Sequence, residues 1–281
     1  MKVLPFKIPK PEEDVLIYQV DYGDTFYDKL HQHEEIQISL IVEGSGTLIV
    51  GDSVNDYNEN DVLIIGSNIP HVFKSDFSTS KKAHMVTLFF TKHAFGKNFF
   101  NLEELKELQP FFKRAKHGFR VSSKSKQIKS LLLELEAEGK FNRFLVLLQI
   151  LKLSSKGHHK SLSSFIYDKR YTDNEGQRMR DVFEFTMNNF QNYISLDAIS
   201  GIANMTKNAF CKYFKKRTNK TYIQFLNELR IEQACRFLQS NKDLSIIQIA
   251  DHVGFNNMSN FNRQFKAIKG HNPSEIRKHL N

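Results

Sequence analysis

Cysteine is scarce in this chain, at two of 281 residues, Cys211 and Cys235. Two thiols on predicted helices make no disulfide framework and have no metal-ligand spacing. A stapled secreted domain is therefore excluded, and a reducing cytosol fits. Long apolar runs are also missing. The densest stretch, Phe144 to Leu153, is half the ~20 residues a membrane span needs. The opening MKVLPFKIPKPEED has no apolar core of signal-peptide length. A soluble cytoplasmic protein with no membrane partner is expected. Arginine is absent from residues 1–100, although lysines are present. That part lacks the planar fork that clamps a carboxylate or phosphate bidentately.

What is present is unevenly distributed. The net charge of +9 hides an acidic start, with nine Lys+Arg against fourteen Asp+Glu in residues 1–100. From Thr206 onward the balance is fourteen basic against five acidic. A length of 281 residues accommodates two domains, each able to bury its own core. A basic C-terminal part is the electrostatic footprint of a phosphate binder, and also of an ordinary solubilising surface. The motifs decide between them.

The most informative stretch is Leu244 to Lys266. Ile246, Ile249, Ala250 and Val253 fall three to four apart, on one helical face. Gly254 breaks the pattern, as a left-handed helix end requires. A second helix opens after Asn256 and Asn257, both capping residues, with Phe261 and Phe265 one turn apart on its buried side. The opposite face carries Ser259, Asn262, Arg263 and Lys266. This is a helix-turn-helix pattern, and it occurs twice. Phe210, Phe214 and Lys215 recur as Phe261, Phe265 and Lys266, while Leu196 and Ile199 answer to Ile246 and Ile249. The second turn is one residue longer. Thr221 to Leu238 reads as a single connecting helix, with Phe225, Leu229 and Phe237 on one side. Arg178 to Phe190 reads as an opening helix with Met179, Val182, Phe183 and Phe190 packed inward.

The first hundred residues have a β texture. Ile36 to Val42 and Thr47 to Val50 flank Glu43-Gly-Ser-Gly46, which reads as a hairpin turn. Val62 to Ile65 and His84 to Phe90 are further strands, and the whole suggests a small antiparallel barrel or double-sheet roll. Residues 101–155 read as short helices followed by a helical hairpin. Ser122 or Ser123 caps its first arm, which Gly139 ends, and Phe141 to Leu153 forms the second. Ser154 to Ser164, SSKGHHKSLSS, has the composition of a flexible linker.

From about Tyr193 to Leu280 the sequence resembles the DNA-binding domain of the AraC/XylS family of bacterial transcription regulators. The second copy carries the more specific signal: I-A-x-x-V-G-F, then S-x-F-x-R-x-F-K, then G-x-x-P. Ser200 departs from the family's usual alanine at small cost in volume. In residues 1–100, His31, His33, Gln37 and Gly44 resemble a first cupin motif. Asn60, Asp61, Gly66, Pro70 and His71 resemble a second. The resemblance implies an α+β two-domain chain, with an N-terminal cupin-like β-barrel and helical hairpin and a C-terminal all-α double helix-turn-helix. The expected limits are 1–100 for a sensing barrel, 101–155 for a hairpin through which the family dimerises, 156–173 for a linker, and 174–281 for the DNA-binding domain.

It also implies roles for particular side chains. Asn208, Cys211 and Lys212 on the first reading helix, and Ser259, Asn262 and Arg263 on the second, correspond to positions that face the major groove. Asparagine suits adenine there, lysine and arginine suit guanine, and a small thiol suits a thymine methyl. Lys207, Lys215, Lys216, Arg217 and Lys266 are candidates for phosphate contacts. His31, His33, Gln37, His71 and His84 are candidates to line an effector pocket, and neutral imidazole and amide groups suit an uncharged, sugar-like ligand. His31, His33 and His71 have the spacing of cupin metal ligands. Gln37, however, stands where the ligating glutamate would be, and an uncharged amide is a poor ligand for a divalent transition metal. No metal, cofactor or enzymatic activity is expected. The expected partners are an operator duplex, a small effector, a second copy of the chain and RNA polymerase. Two rival readings are a metal-dependent cupin enzyme with a DNA-binding tail and a constitutive regulator whose barrel senses nothing.

Overall fold

The structure is a computed structural model that describes residues 14–76, 82–166, 173–240 and 243–280. The chain divides between residues 176 and 177 into two compact units, residues 52–54 excepted.

The first unit is a two-sheet roll. Strands β1 (Leu16–Gly23), β2 (Ile36–Glu43), β3 (Gly46–Val50), β4 (Ser53–Tyr57), β5 (Val62–Ile65), β6 (His71–Ser75) and β7 (Ala83–Phe90) come first. Two short strands, β8 (Phe119–Val121) and β9 (His159–Ser161), follow among the helices. The larger sheet runs β1-β7-β2-β5-β8-β9 and the smaller β4-β3-β6. Consecutive strands β2 and β3 thus lie in different sheets. Glu43 to Gly46 is a corner between sheets rather than the expected hairpin turn. The corner depends on glycine: Gly44 has φ +111°, and a Cβ on Gly46 would meet the Lys74 carbonyl oxygen at 2.2 Å.

The large sheet is buried on both faces, which is why β5 reads as a continuous apolar run and why β2 buries Gln37 and Ser39 as well as its apolar residues. Ile36, Ile38, Leu40, Val62, Ile64, Val86, Leu88 and Phe90 share one core with the helices. Ile41, Leu63, Ile65, Ala83 and Met85 share the other, inside the roll, with Leu48, Val50, Tyr57 and Phe73.

The helical layer comprises two 3-10 turns (Phe99–Asn101 and Glu103–Leu108), α1 (Gln109–Ala115), α2 (Ser125–Glu134) and α3 (Lys140–Ser155). Helix α2 starts after Lys124, which sits in the left-handed region without a side-chain cap. Ser123 instead accepts the His158 N–H at 2.9 Å. Gly139 precedes α3 in an extended conformation, so it opens the second arm rather than ending the first. The linker-like composition of Ser154 to Ser164 is overridden as well. Ser154 and Ser155 finish α3, residues 159–161 pair antiparallel with β8, and Leu162 is buried in the roll. The rest of the expected linker, 167–172, lies outside the described residues.

The second unit is helical: α4 (Asp173–Asn189), α5 (Leu196–Ile202), α6 (Lys207–Thr218), α7 (Tyr222–Ser240), α8 (Ile246–His252), α9 (Met258–Lys269) and α10 (Pro273–Leu280). Side chains cap the paired helices, one of them the expected Asn257. Ser195 accepts from the Ala198 N–H and Thr206 from that of Ala209. Ser245 and Gln248 form a reciprocal capping box on α8, and Asn257 accepts from the Asn260 N–H. Ser200 is buried and donates to the Asp197 carbonyl at 3.0 Å, so its hydroxyl is satisfied within its own helix.

Candidate functional site

In each helix-turn-helix the second helix is held by two phenylalanines and shows its other side to solvent. Phe210 and Phe214 are fully buried on α6, where they pack with Tyr222, Phe225 and Phe183. Phe261 and Phe265 are fully buried on α9, with Phe255 against Phe261. Rotating away from those anchors, Asn208, Cys211, Lys212, Lys215 and Lys216 are exposed on α6. Ser259, Asn262, Arg263 and Lys266 are exposed on α9. All six candidate base-reading side chains therefore lie on accessible faces of second helices. Arg263 donates from Nη2 to Asn260 Oδ1 at 2.9 Å, which holds its guanidinium beside the N-terminal turn of α9.

Two of the candidate phosphate contacts are otherwise engaged. Lys207 Nζ pairs with Asp197 at 2.9 Å, and Arg217 is half-buried with its guanidinium over the Tyr213 ring at 5.8 Å. The connecting helix α7 has nineteen residues, ~28 Å at 1.5 Å each. Phe225, Leu229 and Leu238 are its buried anchors. Phe237, expected among them, is only half-buried and lies 5.9 Å from the His252 ring.

The roll interior brings together four of the five polar residues expected to form an effector site. His31, His33, His71 and Gln37 are all buried, with His71 at 0% exposure. Backbone bonds in both directions tie His31 to His71. One ring nitrogen of each histidine lies within 4.8 Å of the others. His84 is the exception. Val86 and Leu88 share its face as the alternation predicts, but that face belongs to the helix-covered side of the sheet. At its edge, His84 meets Tyr22 ring to ring at 5.6 Å. The interior positions of β7 are instead Met85, Thr87 and Phe89, and the last of these packs on His33.

Two rings of the cluster have a defined proton arrangement. Nδ1 of His31, His33 and His71 lies 2.8–2.9 Å from the carbonyl of Lys29, Glu35 and Ile69 respectively. A carbonyl only accepts, so neutral His31 and His71 carry the proton on Nδ1 and the lone pair on Nε2. Burial, with His31 and His33 alongside, holds the His71 imidazole well below its ordinary titration range. The Nε2 of His71 is buried and has no hydrogen-bond partner. His33 differs, because its Nε2 lies 3.2 Å from Gln37 Oε1 and its Nδ1 2.9 Å from the Glu35 carbonyl, so both nitrogens face acceptors; the Gln37 amide nitrogen in turn donates to Ser39, which meets Thr87.

A ring whose Nδ1–H is fixed by a carbonyl presents Nε2 as a metal ligand does. His31 and His71 therefore fit a borderline divalent cation of the zinc or nickel class, and His33 would join them by giving up its Gln37 contact. Such an ion would supply a Lewis-acidic coordination position, and Gln37 would add no compensating charge. The adjoining cavity, lined by Gln19, Asp21, Tyr27, His31 and Gln37 among others, has a volume of about 60 Å³, below the ~300–1,000 Å³ typical of small-molecule sites.

A roll with a polar buried end, followed by two helix-turn-helix units on one connecting helix, defines a two-part DNA-binding regulator. Residues 199–279 match the model of a helix-turn-helix domain, and residues 14–89 match that of an AraC-like ligand binding domain. Together they take in more than half of the chain, which belongs to the AraC family of DNA-binding transcription regulators. The HTH-type transcriptional regulator YdeC of Bacillus subtilis is 22% identical over 90% of this chain and 87% of its own. The HTH-type transcriptional activator RhaS of Escherichia coli O157:H7 is 21% identical over 88% of this chain and 86% of its own. The MmsAB operon regulatory protein of Pseudomonas aeruginosa is 31% identical over 87 residues, 31% of this chain and 28% of that protein. No helix among the described residues is long and apolar enough to cross a membrane.

Proposed function

We propose that this chain is a ligand-responsive, dimeric transcription activator of the cytoplasm that reads two successive major-groove segments of its operator. The observation that carries this reading is the pair of second helices, each anchored by two buried phenylalanines and each showing polar and cationic side chains to solvent. A strut of ~28 Å between them is commensurate with a DNA turn of ~34 Å once the widths of the attached helices are added. Asn208, Cys211 and Lys212 read bases from α6, and Ser259, Asn262 and Arg263 from α9. Lys215, Lys216 and Lys266 contact phosphates. Lys207 does so only by exchanging Asp197 for a phosphate, and Arg217 supports Tyr213 more than it projects.

The functional limits follow the expected division: sensing in 1–100, dimerisation in 101–155, a connection over 156–173 and DNA reading in 174–281. Dimerisation through the helical hairpin is supported by what the sheet leaves uncovered. Leu132, Leu135, Leu147, Ile150 and Leu151 are spent on the roll, whereas Leu133, Leu145 and Phe141 (71% exposed) face outward. Activation through RNA polymerase follows the likeness to the RhaS activator.

The decisive experiment is selection of duplexes from a random pool by the pure protein, followed by footprinting. Enriched half-sites about 10 bp apart are expected. An unenriched pool sinks the reading. The rival, a metal-dependent enzyme with a DNA-binding tail, is favoured by one observation, the orphaned Nε2 of His71. Metal analysis of the purified chain tests it, and stoichiometric zinc, nickel, iron or manganese would overturn the expectation of a metal-free sensor.

A further inference from the structure

Arg263 and Lys212 hold equivalent places, each two residues after the first anchoring phenylalanine of its helix. The residue just before that phenylalanine also differs between the copies, Asn260 in α9 and Ala209 in α6. One helical turn separates Asn260 from Arg263, so their side chains share a stripe of the helix surface. Nη2 of Arg263 donates to Asn260 Oδ1 at 2.9 Å. An arginine only donates, so the amide must turn its oxygen to meet it. Ala209 has no side-chain acceptor to offer Lys212.

This pairing is separable from helix capping. Gln248, the third residue of α8, reaches back to the Ser245 N–H and closes a capping box. Asn260 is the third residue of α9, and its side chain reaches forward. The Asn260 N–H is accepted by Asn257 Oδ1 at 2.9 Å, so the cap of α9 does not use the Asn260 amide.

The pairing also leaves the positive charge intact. Helix α9 has no Asp or Glu, and the group that holds Arg263 is neutral. A carboxylate in its place would orient the guanidinium and at the same time weaken the field that attracts a phosphate backbone. The bond occupies a single N–H of the guanidinium. The others are enough for the fork that arginine makes on O6 and N7 of guanine. An arginine held before docking loses less rotamer freedom when it docks.

We propose that Asn260 is a positioning residue for base recognition, its amide oxygen holding the Arg263 guanidinium in the orientation that reads guanine. The role rests on the reading in which Arg263 contacts a base. Helix α6, with Ala209 and Lys212, presents an unheld point charge, so discrimination is sharper at the base that faces α9.

The test uses the full chain and competition between a selected duplex and versions of it changed at one base pair. Arg263→Ala first locates the position that Arg263 reads, as the one where preference relaxes. There, Asn260→Ala should reduce the preference for guanine roughly fivefold, with the parent's salt dependence and melting temperature. Asn260→Asp keeps an acceptor, so it should retain most of the preference while weakening every duplex alike. In an Arg263→Lys background, which has no fork, Asn260→Ala should change the preference no further. Undiminished preference in Asn260→Ala, where Arg263→Ala relaxes it, overturns the positioning role and leaves the base contact of Arg263 standing. An equal loss in the Arg263→Lys background overturns it too, because Asn260 would then read the base itself. If Arg263→Ala relaxed no position, the base contact would be refuted and the positioning role with it.

Discussion

The two helix-turn-helix copies share a plan and differ at the turn. The left-handed residue that ends the first helix is Asn204 in one copy, with φ +51°, and Gly254 fifty residues later, with φ +87°. Asparagine takes that conformation at modest cost, and Asn204 is exposed. Gly254 has a further constraint. A Cβ there would lie 2.6 Å from the Gln191 carbonyl oxygen and 2.9 Å from that of Phe190. Arg230 of α7 donates to the Phe190 and Asn192 carbonyls at 2.8 Å and covers Phe255, so the end of α4 cannot retreat. The second copy is thus wedged in by main-chain contact. The first is held by an aromatic cluster, in which the Thr186 hydroxyl donates to the Val182 carbonyl and accepts from the Tyr222 hydroxyl. A repeated sequence pattern conserves the local geometry and leaves the neighbours free to differ.

Four experiments bear on that contrast. The largest effect is expected from Lys212→Ala combined with Arg263→Ala, since each base-reading contact is worth ~1–3 kcal/mol. In competition binding, the two single variants should relax sequence preference at positions about one DNA turn apart. Relaxation at the same positions would mean that only one copy reads. Next, Gly254→Ala should lower stability by about 2–4 kcal/mol, against a few tenths for Asn204→Gly, as read from denaturant midpoints. Similar midpoints would show that the wedge is not a constraint.

The third experiment uses pH. Burial pushes the Tyr222 hydroxyl up to about 12, and the Tyr213 hydroxyl likewise to about 12. An unfolded tyrosine ionises near ~10. The stability these groups confer is present in full below that value and falls as pH rises toward 12, by up to about 2 kcal/mol for Tyr222. The second copy, residues 244–280, has no tyrosine. Alkaline unfolding should therefore begin in the first copy, and Tyr222→Phe should flatten the slope measured by circular dichroism. The smallest effect belongs to Lys215→Gln and Lys216→Gln, each of which should reduce the salt dependence of DNA affinity by about one counterion without changing which sequence is preferred.

Much of the second unit is legible in the sequence because its determinants are local. Ser195, Thr206, Ser245 and Asn257 stand next to the helices they cap, and Phe210 with Phe214 and Phe261 with Phe265 are one turn apart. The exposure of Asn208, Lys212, Asn262 and Arg263 follows from the same period.

The amino-acid order alone determined the paired helices, their caps, the left-handed turn at Gly254 and the basic character of the reading half, since each depends on residues within a turn or two of one another. Tertiary structure alone decided that β2 and β3 part into separate sheets, that a serine-rich stretch closes the sheet as β9, and that His84 faces away from His31, His33 and His71. The physical reason is that a period of two shows which side chains share a face. A sheet packed on both sides has two cores, and only its long-range partners decide which of them a face meets.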